Sequence, residues 1–311
     1  MTLALLFPGQ GTQQPNMLSA LPKTPAATAV VDESHSWLEH LGIATTIDDA
    51  TALHDTTSAQ LALLIAGVAC ARALTQDHGL TAEFVAGHSV GAFAAAVTAG
   101  VLTLGEAITA VNVRADLMKE ACSEGDWGMA AVTGLPIRAT VQLVERLHSN
   151  DEPLWVANVN GPTQTVLSGS VSALRDASVA AEAAGARDYT LLDVAVASHC
   201  PLQAGTAERM KAHLAGLPRR PATACYLTNT RGRSVRNADP ILDDLAAAVA
   251  QPVQWYDATR LSPELGVTVA VETQPGHVLT RLNAANAPTV LALSMQDNGI
   301  DAVVTRARRP R

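Results

Sequence analysis

The stretch that most constrains the fold of this chain is a short apolar run that ends in a glycine-rich turn. Residues 83–93 read Glu-Phe-Val-Ala-Gly-His-Ser-Val-Gly-Ala-Phe, and an alanine-rich segment follows. This pattern predicts a strand, a sharp turn and a helix, with Ser89 at the turn, as in a nucleophile elbow. Gly87 and Gly91 suit such a turn because a Cβ at either position would obstruct the neighbouring backbone. The turn would present the Ser89 hydroxyl beside the N–H groups that begin the helix.

The composition indicates a large globular protein and excludes several classes of function. The 311 residues are 48 % apolar and 16 % charged, which is enough apolar surface for a sizeable core. The formal net charge is −8 and no Lys/Arg-rich run alternates with aromatic residues, so we expect no nucleic-acid partner. The longest charge-free apolar run, 61–71, is shorter than the ~20 residues that cross a bilayer, so we expect no membrane span.

The N-terminus and the cysteines favour a cytoplasmic protein. No Lys or Arg precedes the first apolar stretch, which meets Pro8 almost at once, so it predicts a first strand and not a signal peptide. The four cysteines are scattered without a C-x-x-C spacing, which fits a reduced compartment. The nine histidines form no H-E-x-x-H or comparable ligand spacing, so we predict no metal site.

Two rhythms of secondary structure divide the chain. Residues 127–195 predict the order β-α-β-β-α-β, with a last strand at 190–194, which is the split-βαβ, ferredoxin-like arrangement. The flanking parts alternate strands and helices in the manner of an α/β protein with a parallel sheet. We therefore predict a large α/β domain of residues 1–126 and 196–311, and an inserted ferredoxin-like α+β subdomain of residues 127–195.

A nucleophile at the elbow would require a base, an oxyanion donor and a pocket, whereas a mere glycine-rich loop would require none. Gln10 lies between two glycines after the first strand, where it could offer an amide N–H to a ligand or simply face water. Gln60 stands near the start of a helix, predicted from there to about residue 78, that is apolar nearly all round. Its polar side chain could line a pocket or serve a structural, capping role.

Arg114 and His199 are two further candidate site residues, the first because of its positive charge and the second because of its reactive imidazole. Arg114 shares a helix face with Val111, Leu117 and Met118, so it is either a buried cation that needs an anion or an arginine that reaches out to solvent. His199 lies at a strand-to-helix junction where the chain re-enters the large domain. A seam between domains is a preferred place for a site, although a helix-capping role is also open.

Considered together, several motifs resemble those of the malonyl-CoA:acyl carrier protein transacylases over essentially the whole chain. The resemblance is specific because these motifs occur jointly, in the family's order and at its spacings. They are residues 7–13, 87–91, Arg114 with Leu117 and Met118, 158–162, 198–200, 252–255 and 275–279, together with the ferredoxin-like insert.

The resemblance implies an α/β-hydrolase-like large domain and acyl transfer in two half-reactions. Ser89 would attack the thioester of malonyl-CoA, and His199 would take the hydroxyl proton and later return one to the leaving thiol. Gln10 and Val90 would hold the oxyanion through their backbone N–H groups. Arg114 would bind the free carboxylate of the malonyl group and so select malonyl over acetyl.

The same resemblance bears on how the histidine is oriented and on the rest of the pocket. Family members orient this histidine by a main-chain carbonyl, and the matching segment here is about 248–251. Asp193 is the alternative, as the acid of a Ser-His-Asp triad. Gln60 and Asn158 would be further substrate-binding residues. No metal and no bound cofactor are implied; the substrates would be malonyl-CoA and the CoA-like or phosphopantetheine group of a carrier protein.

Within the family, the chain looks most like the transacylase subunits of bacterial malonate decarboxylases. Residues 13–22 and 60–69 resemble theirs, and Ala92 stands where transacylases of fatty-acid synthesis usually carry Glu. The expected partners are then an acyl carrier protein subunit and other decarboxylase subunits. The carrier would dock on a local basic patch, either Arg219 with Arg220 or a second cluster. The second cluster is Arg231, Arg233 and Arg236.

Three other functions compete with this reading. The first is a malonyl-CoA:acyl carrier protein transacylase of fatty-acid or polyketide synthesis, which uses the same chemistry. The second is a serine thioesterase or esterase with a G-x-S-x-G motif, which Arg114, the insert and the mid-chain position of His199 disfavour. The third is a non-enzymatic scaffold, which the intact set of Ser89, His199 and Arg114 disfavours.

Overall fold

The computed structural model describes residues 2–308, and its larger part is built on a six-stranded sheet. All neighbouring strands pair in parallel except the last two, which are antiparallel. This confirms the predicted α/β class with a largely parallel sheet. From edge to edge the strands are β10 (Leu291–Ser294), β9 (Val269–Glu272), β1 (Leu3–Phe7), β2 (Phe84–Gly87), β7 (Cys225–Leu227) and β8 (Ser234–Val235).

Helices cover both faces of this sheet, which explains why its central strands are continuous apolar runs. Every residue of β1 and β2 is buried, as expected for parallel strands between two helical layers. The helices are α1 (Pro25–His40), α2 (Thr56–Arg72), α3 (Gly91–Thr98), α4 (Leu104–Ala121), α7 (Ala204–Ala215), α8 (Ala238–Ala247), α9 (Trp255–Glu264), α10 (Val278–Asn286), α11 (Met295–Asn298) and α12 (Ile300–Arg308).

The second helix begins earlier than the sequence pattern predicted. Asp55 caps α2 by accepting the N–H of Ser58, so the helix starts at Thr56 and not at Gln60. With its π-helical extension it forms the stretch Thr56–Asp77, which by length and composition alone could cross a membrane. However, 89 % of its most apolar window is buried inside the protein. This helix packs against α1, α3 and α4, so its apolar surface is that of a helix in the core of the protein.

A second, four-stranded antiparallel sheet lies between α4 and α7 in the chain. Its strand order, β4-β5-β3-β6, is that of the split-βαβ arrangement, and two helices pack on it around a separate apolar core. The domain boundaries at 126/127 and 195/196 remain a prediction. The elements are β3 (Trp127–Thr133), α5 (Ile137–Leu147), β4 (Leu154–Gly161), β5 (Gln164–Ser170), α6 (Val171–Ala183) and β6 (Asp188–Leu191).

The last strand of this sheet, β6, begins two residues before its predicted start and ends three residues before its predicted end. Leu192 still donates its N–H to Met129 O at 2.9 Å, but the chain then leaves the sheet and runs without regular structure to Pro201. The predicted span 190–194 was therefore wrong at both ends. The apolar residues that suggested a strand there, including Val194, line a cavity instead.

Candidate active site

The turn between β2 and α3 has the geometry of a nucleophile elbow. Ser89 has φ of +53°, in the left-handed region that non-glycine residues rarely adopt. A Cβ on Gly87 would lie 2.1 Å from the backbone of Gly91, and one on Gly91 would lie 2.2 Å from Phe7 O. Both glycines are therefore required by close backbone approach, and Phe7 brings the loop after β1 directly against the elbow.

His199 approaches the elbow from the segment that returns from the second sheet. Its side chain is 2 % exposed, and its Nε2 lies 2.8 Å from Ser89 Oγ. Its Nδ1 lies 2.5 Å from Ala248 O, and its backbone N–H donates to Val249 O at 2.7 Å. His199 itself has φ of +60°, so the ring position depends on this backbone pinning.

These contacts assign the protonation of the imidazole. A carbonyl oxygen can only accept, so Nδ1 carries the proton toward Ala248 and Nε2 is free to accept the proton of Ser89. Burial, and then the positive charge of Arg114, lower the pKa of His199 to about 3, which keeps the ring neutral at physiological pH. Asp193 does not contact the imidazole: its carboxylate is 94 % exposed and lies 3.7 Å from His54 Nδ1.

Arg114 places a buried cation beside the same serine. It is 2 % exposed on α4, its Nη1 donates to Gln60 Oε1 at 2.6 Å, and its Nη2 donates to Ser89 Oγ at 3.1 Å. Burial lowers its pKa to about 10, so it stays charged at neutral pH. Within residues 2–308 no carboxylate lies within 4 Å of its guanidinium. A buried charge without a counter-ion is costly, which makes this a ready site for an anion.

Gln10, Gln60 and Val90 complete the surroundings of the hydroxyl. The Gln60 side chain is 1 % exposed and donates to Gln10 Oε1 at 3.3 Å. The loop that carries Gln10 packs tightly on the elbow, since a Cβ on Gly9 would lie 2.6 Å from His88 O. Val90 is the N-cap of α3, where backbone N–H groups point out of the helix end. Gln10 thus lines the same cavity as Ser89 from the loop after β1, and Val90 follows Ser89 within the elbow itself; their role as oxyanion donors stays a prediction.

A cavity of ≈ 340 Å³ opens at this point, with walls from both sheets. The second sheet contributes Met129 and Asn158, and the loop behind it contributes further apolar side chains. Asn158 is 6 % exposed, and its Oδ1 has no hydrogen-bond partner among residues 2–308, which fits a group that binds a ligand. Residues 2–308 contain no group of three or more His, Cys, Asp or Glu arranged to hold a metal ion.

Two further side chains near the elbow escaped the sequence patterns. His88 is partly buried, with Nε2 3.0 Å from Asn160 Oδ1 and its ring 5.5 Å from that of Trp255, and desolvation lowers its pKa. Asn229, just after β7, accepts the N–H of Ser89. The available signal was position: polar residues that follow a parallel strand gather at the carboxyl edge of the sheet.

Comparisons with known proteins find relatives along nearly the whole chain. The family model described as "Acyl transferase domain" matches residues 4–298. The malonyl CoA-acyl carrier protein transacylase of Escherichia coli (strain K12) is 32 % identical over 296 residues, which cover 94 % of this chain and 96 % of the relative.

Solved structures show the same fold over the whole length. The acyl-carrier-protein S-malonyltransferase of Burkholderia pseudomallei 1710b superposes with a TM-score of 0.90 at 28 % identity, covering 99 % of this chain and 100 % of that one. A malonyl-transacylase in complex with a type II polyketide synthase acyl-carrier protein gives a TM-score of 0.87 at 30 % identity, covering 98 % of each chain. The chain therefore belongs to the acyl transferase domain family and is an acyltransferase related to the malonyl-CoA:acyl carrier protein transacylases.

Proposed function

We propose that this enzyme transfers a malonyl group from malonyl-CoA to the thiol of an acyl carrier protein through a malonyl ester on Ser89. The observation that carries the proposal is the buried, unpaired guanidinium of Arg114, 3.1 Å from Ser89 Oγ. The malonyl carboxylate is two carbons from the carbonyl that the serine attacks, so the acyl group can reach both groups at once. Two parallel N–H···O bonds from the guanidinium would then replace its present neutral partners.

The first half-reaction begins as His199 Nε2 accepts the Ser89 proton while Oγ adds to the thioester carbonyl. The oxygen of the tetrahedral intermediate would be held by the backbone N–H groups of Gln10 and Val90. As the C–S bond breaks, His199 returns the proton to the CoA thiolate and leaves malonyl-Ser89. The carrier thiol then attacks this ester by the same steps in reverse. Ala248 O stabilises the imidazolium that forms in each half-reaction.

Incubation with malonyl-CoA followed by intact-mass spectrometry tests the nucleophile. We expect Ser89→Ala to abolish the malonyl adduct, since the Ser89 hydroxyl is the one that contacts His199 Nε2. Ser36→Ala is the matched control, because Ser36 is exposed on α1 and should leave labelling intact. Persistent labelling of the Ser89→Ala protein would remove Ser89 from this role.

The relatives and the carrier complex favour a role in fatty-acid or polyketide synthesis, in the cytoplasm, with an acyl carrier protein bearing phosphopantetheine as partner. A second candidate is the transacylase subunit of malonate decarboxylase, which would load the CoA-like group of that enzyme's carrier and contact its other subunits. Ala92 favours it: this residue is 1 % exposed on α3 and leaves the elbow without the neighbouring carboxylate usual in fatty-acid synthesis.

The two candidates differ in the carrier that the enzyme prefers. The discriminating measurement is kcat/KM with each purified holo-carrier at a fixed concentration of malonyl-CoA. A higher value with the phosphopantetheine carrier supports fatty-acid or polyketide synthesis, whereas a higher value with the decarboxylase carrier supports the second candidate.

A further inference from the structure

The side chain of Asn229 continues the pairing of two strands after their backbones have separated. β2 and β7 pair in parallel from Phe84↔Cys225 to Ala86↔Leu227, where the backbone ladder ends. Two residues beyond Leu227, the Asn229 amide reaches back to the elbow. Its Nδ2 donates to Gly87 O at 2.8 Å and its Oδ1 accepts the Ser89 N–H at 2.9 Å. The amide therefore spans the backbone on both sides of His88.

This contact fixes the orientation of the amide without ambiguity. Gly87 O can only accept and the Ser89 N–H can only donate, so neither position tolerates the reversed amide. Asn229 is 3 % exposed, so loss of the side chain would leave two buried backbone groups without partners.

Asn229 is itself held from two directions. Its backbone N–H donates to Asp244 Oδ2 at 2.8 Å, and its carbonyl accepts the N–H of Gln254 at 2.7 Å. Asp244 is 4 % exposed and also accepts hydrogen bonds from the Tyr226 hydroxyl and from Thr230. This network anchors the Asn229 backbone to α8 and to the start of α9, so the amide is rigid before it meets the elbow.

We propose that Asn229 is a positioning residue that holds Ser89 in its left-handed conformation. The proposal rests on the proposed role of Ser89 as nucleophile. A serine at φ of +53° persists only where its surroundings over-determine it, and Asn229 binds the peptide N–H of that residue. The same conformation sets Ser89 Oγ 2.8 Å from His199 Nε2.

The proposal predicts a specific kinetic signature. The malonyl carboxylate would be bound by Arg114, which lies on α4 and does not contact Asn229. Loss of the amide should therefore slow acylation while leaving the affinity for malonyl-CoA unchanged. Displacement of a reacting group by about 1 Å can cost about 10²-fold in rate, and we expect a loss of that order.

The first experiment measures malonyl-enzyme formation by rapid quench over a range of malonyl-CoA concentrations. For Asn229→Ala we expect the saturating rate constant, per folded molecule, to fall about 10²-fold with an unchanged half-saturating concentration. Asn237→Ala is the control, because Asn237 is exposed on the same β7–α8 connection and its side chain makes no capping bond. A rate constant equal to that of the parent enzyme, or a loss carried entirely by weaker binding, would overturn the proposal.

A second variant keeps the proposal testable if Asn229→Ala does not fold. In Asn229→Asp, an ionised carboxylate would place an oxygen lone pair against Gly87 O and repel it. A protonated carboxyl can donate to Gly87 O and accept from the Ser89 N–H, as the amide does. The ratio of the variant's acylation rate to that of the parent should rise as pH falls from about 8 to about 5.5, approaching tenfold per pH unit. Asp244, His88 and His199 surround this position in both enzymes, so any titration of these groups cancels in the ratio. A ratio of acylation rates that does not change with pH would contradict the proposed positioning role of Asn229.

Ser89→Ala, run in parallel, separates this inference from the proposed function. If that variant still forms a malonyl adduct, the nucleophile assignment itself fails. If Ser89→Ala is unlabelled while both Asn229 variants acylate at the parent rate, only the positioning role fails.

Discussion

The guanidinium of Arg114 is buried on α4 and, within residues 2–308, bonds to neutral groups alone, Gln60 Oε1 and Ser89 Oγ. Removal of the Arg114 side chain should therefore lower the rate of transfer from a substrate with a free carboxylate much more than from a substrate without one. We expect Arg114→Ala to lower kcat/KM for malonyl-CoA about 10²–10³-fold, because loss of one partner of a desolvated charge pair costs about 2–5 kcal/mol. Acetyl-CoA, measured in the same assay, should lose far less.

Two controls define this prediction. Arg114→Lys keeps a positive charge but loses the bidentate fork, so it should fall between the parent and the alanine variant. Arg209→Ala removes an exposed arginine that pairs with Glu120 and should change neither substrate. Equal losses for malonyl and acetyl transfer in Arg114→Ala would argue against a carboxylate site.

The depressed pKa of His199 predicts an unusual pH profile. A general base acts while it is unprotonated, and burial together with Arg114 lowers this pKa from 6.5 to about 3. The value of kcat/KM for malonyl-CoA should thus stay level as pH falls from about 8 to about 5, whereas an ordinary histidine with pKa of ~6.5 would lose about tenfold per unit.

The lowered pKa of His199 also makes the stability of the fold depend on pH, so the folded fraction has to be controlled in this experiment. Below pH 6.5 the unfolded chain protonates this histidine while the folded chain does not, so folding stability is fully present above that pH and is lost as pH falls. The folded fraction must be measured at each pH by circular dichroism. A fall in rate centred near pH 6.5 in fully folded enzyme would contradict a permanently neutral base.

At the scale of the elements, the elbow depends on how closely α3 can approach the loop after β1. We expect Gly91→Ala to destabilise the protein by about 1–3 kcal/mol, because the added Cβ would lie 2.2 Å from Phe7 O and the backbone must move. Acylation should fall with it, since Ser89 lies in the same turn. Denaturant unfolding with a parallel labelling assay measures both effects.

Gly205 provides the matched control within a helix. It lies in α7, and a Cβ there would meet nothing within 4 Å. Gly205→Ala should therefore stabilise the fold by up to about 1 kcal/mol through helix propensity and leave acylation unchanged. If Gly91→Ala were as stable and active as Gly205→Ala, the close approach would not constrain the elbow.

At the scale of the whole molecule, the proposed function requires this acidic chain to bind an acyl carrier protein, which we expect to dock on a local basic surface. The pair Arg219 and Arg220 is already engaged, with Asp239 at 2.5 Å and Glu106 at 2.7 Å. Arg231 and Arg233 are exposed and form no ion pair among the described residues. They follow Asn229, whose side chain contacts the elbow, by two and four residues, and on this ground we expect the carrier to dock at this surface.

The double variant Arg231→Glu with Arg233→Glu should raise KM for the carrier about tenfold or more and reduce its dependence on salt. The half-reaction with malonyl-CoA should keep its rate. Arg146→Glu with Arg175→Glu makes the same change of charge on exposed residues of the second sheet's helices. If both double variants weaken transfer to the carrier equally, the effect comes from the net charge of the protein and not from the surface around Arg231 and Arg233.

Local patterns predicted much of this molecule. The spacing of Val111, Arg114, Leu117 and Met118 predicted a shared helix face, and all four side chains are buried on α4. This prediction depends on neighbours within one or two helical turns, where spacing alone decides which side chains share a face. The elbow belongs to the same class, because its turn is specified by the glycines around Ser89.

The residues themselves did not show which groups reach the serine; the family resemblance implied His199 and a carbonyl within 248–251, and the tertiary structure places Ala248 O against the imidazole. Ser89 and His199 are 110 residues apart, and the imidazole is oriented by the backbone carbonyl of Ala248, a group that every residue possesses and that leaves no mark in the sequence. Asn229 reaches the elbow because β7 lies beside β2 in the sheet, and strand order follows from the packing of the whole chain. The sequence by itself determined the serine at the elbow and the arginine on an apolar helix face, whereas the packing of the whole chain decided that this arginine is buried beside the serine and how both are held.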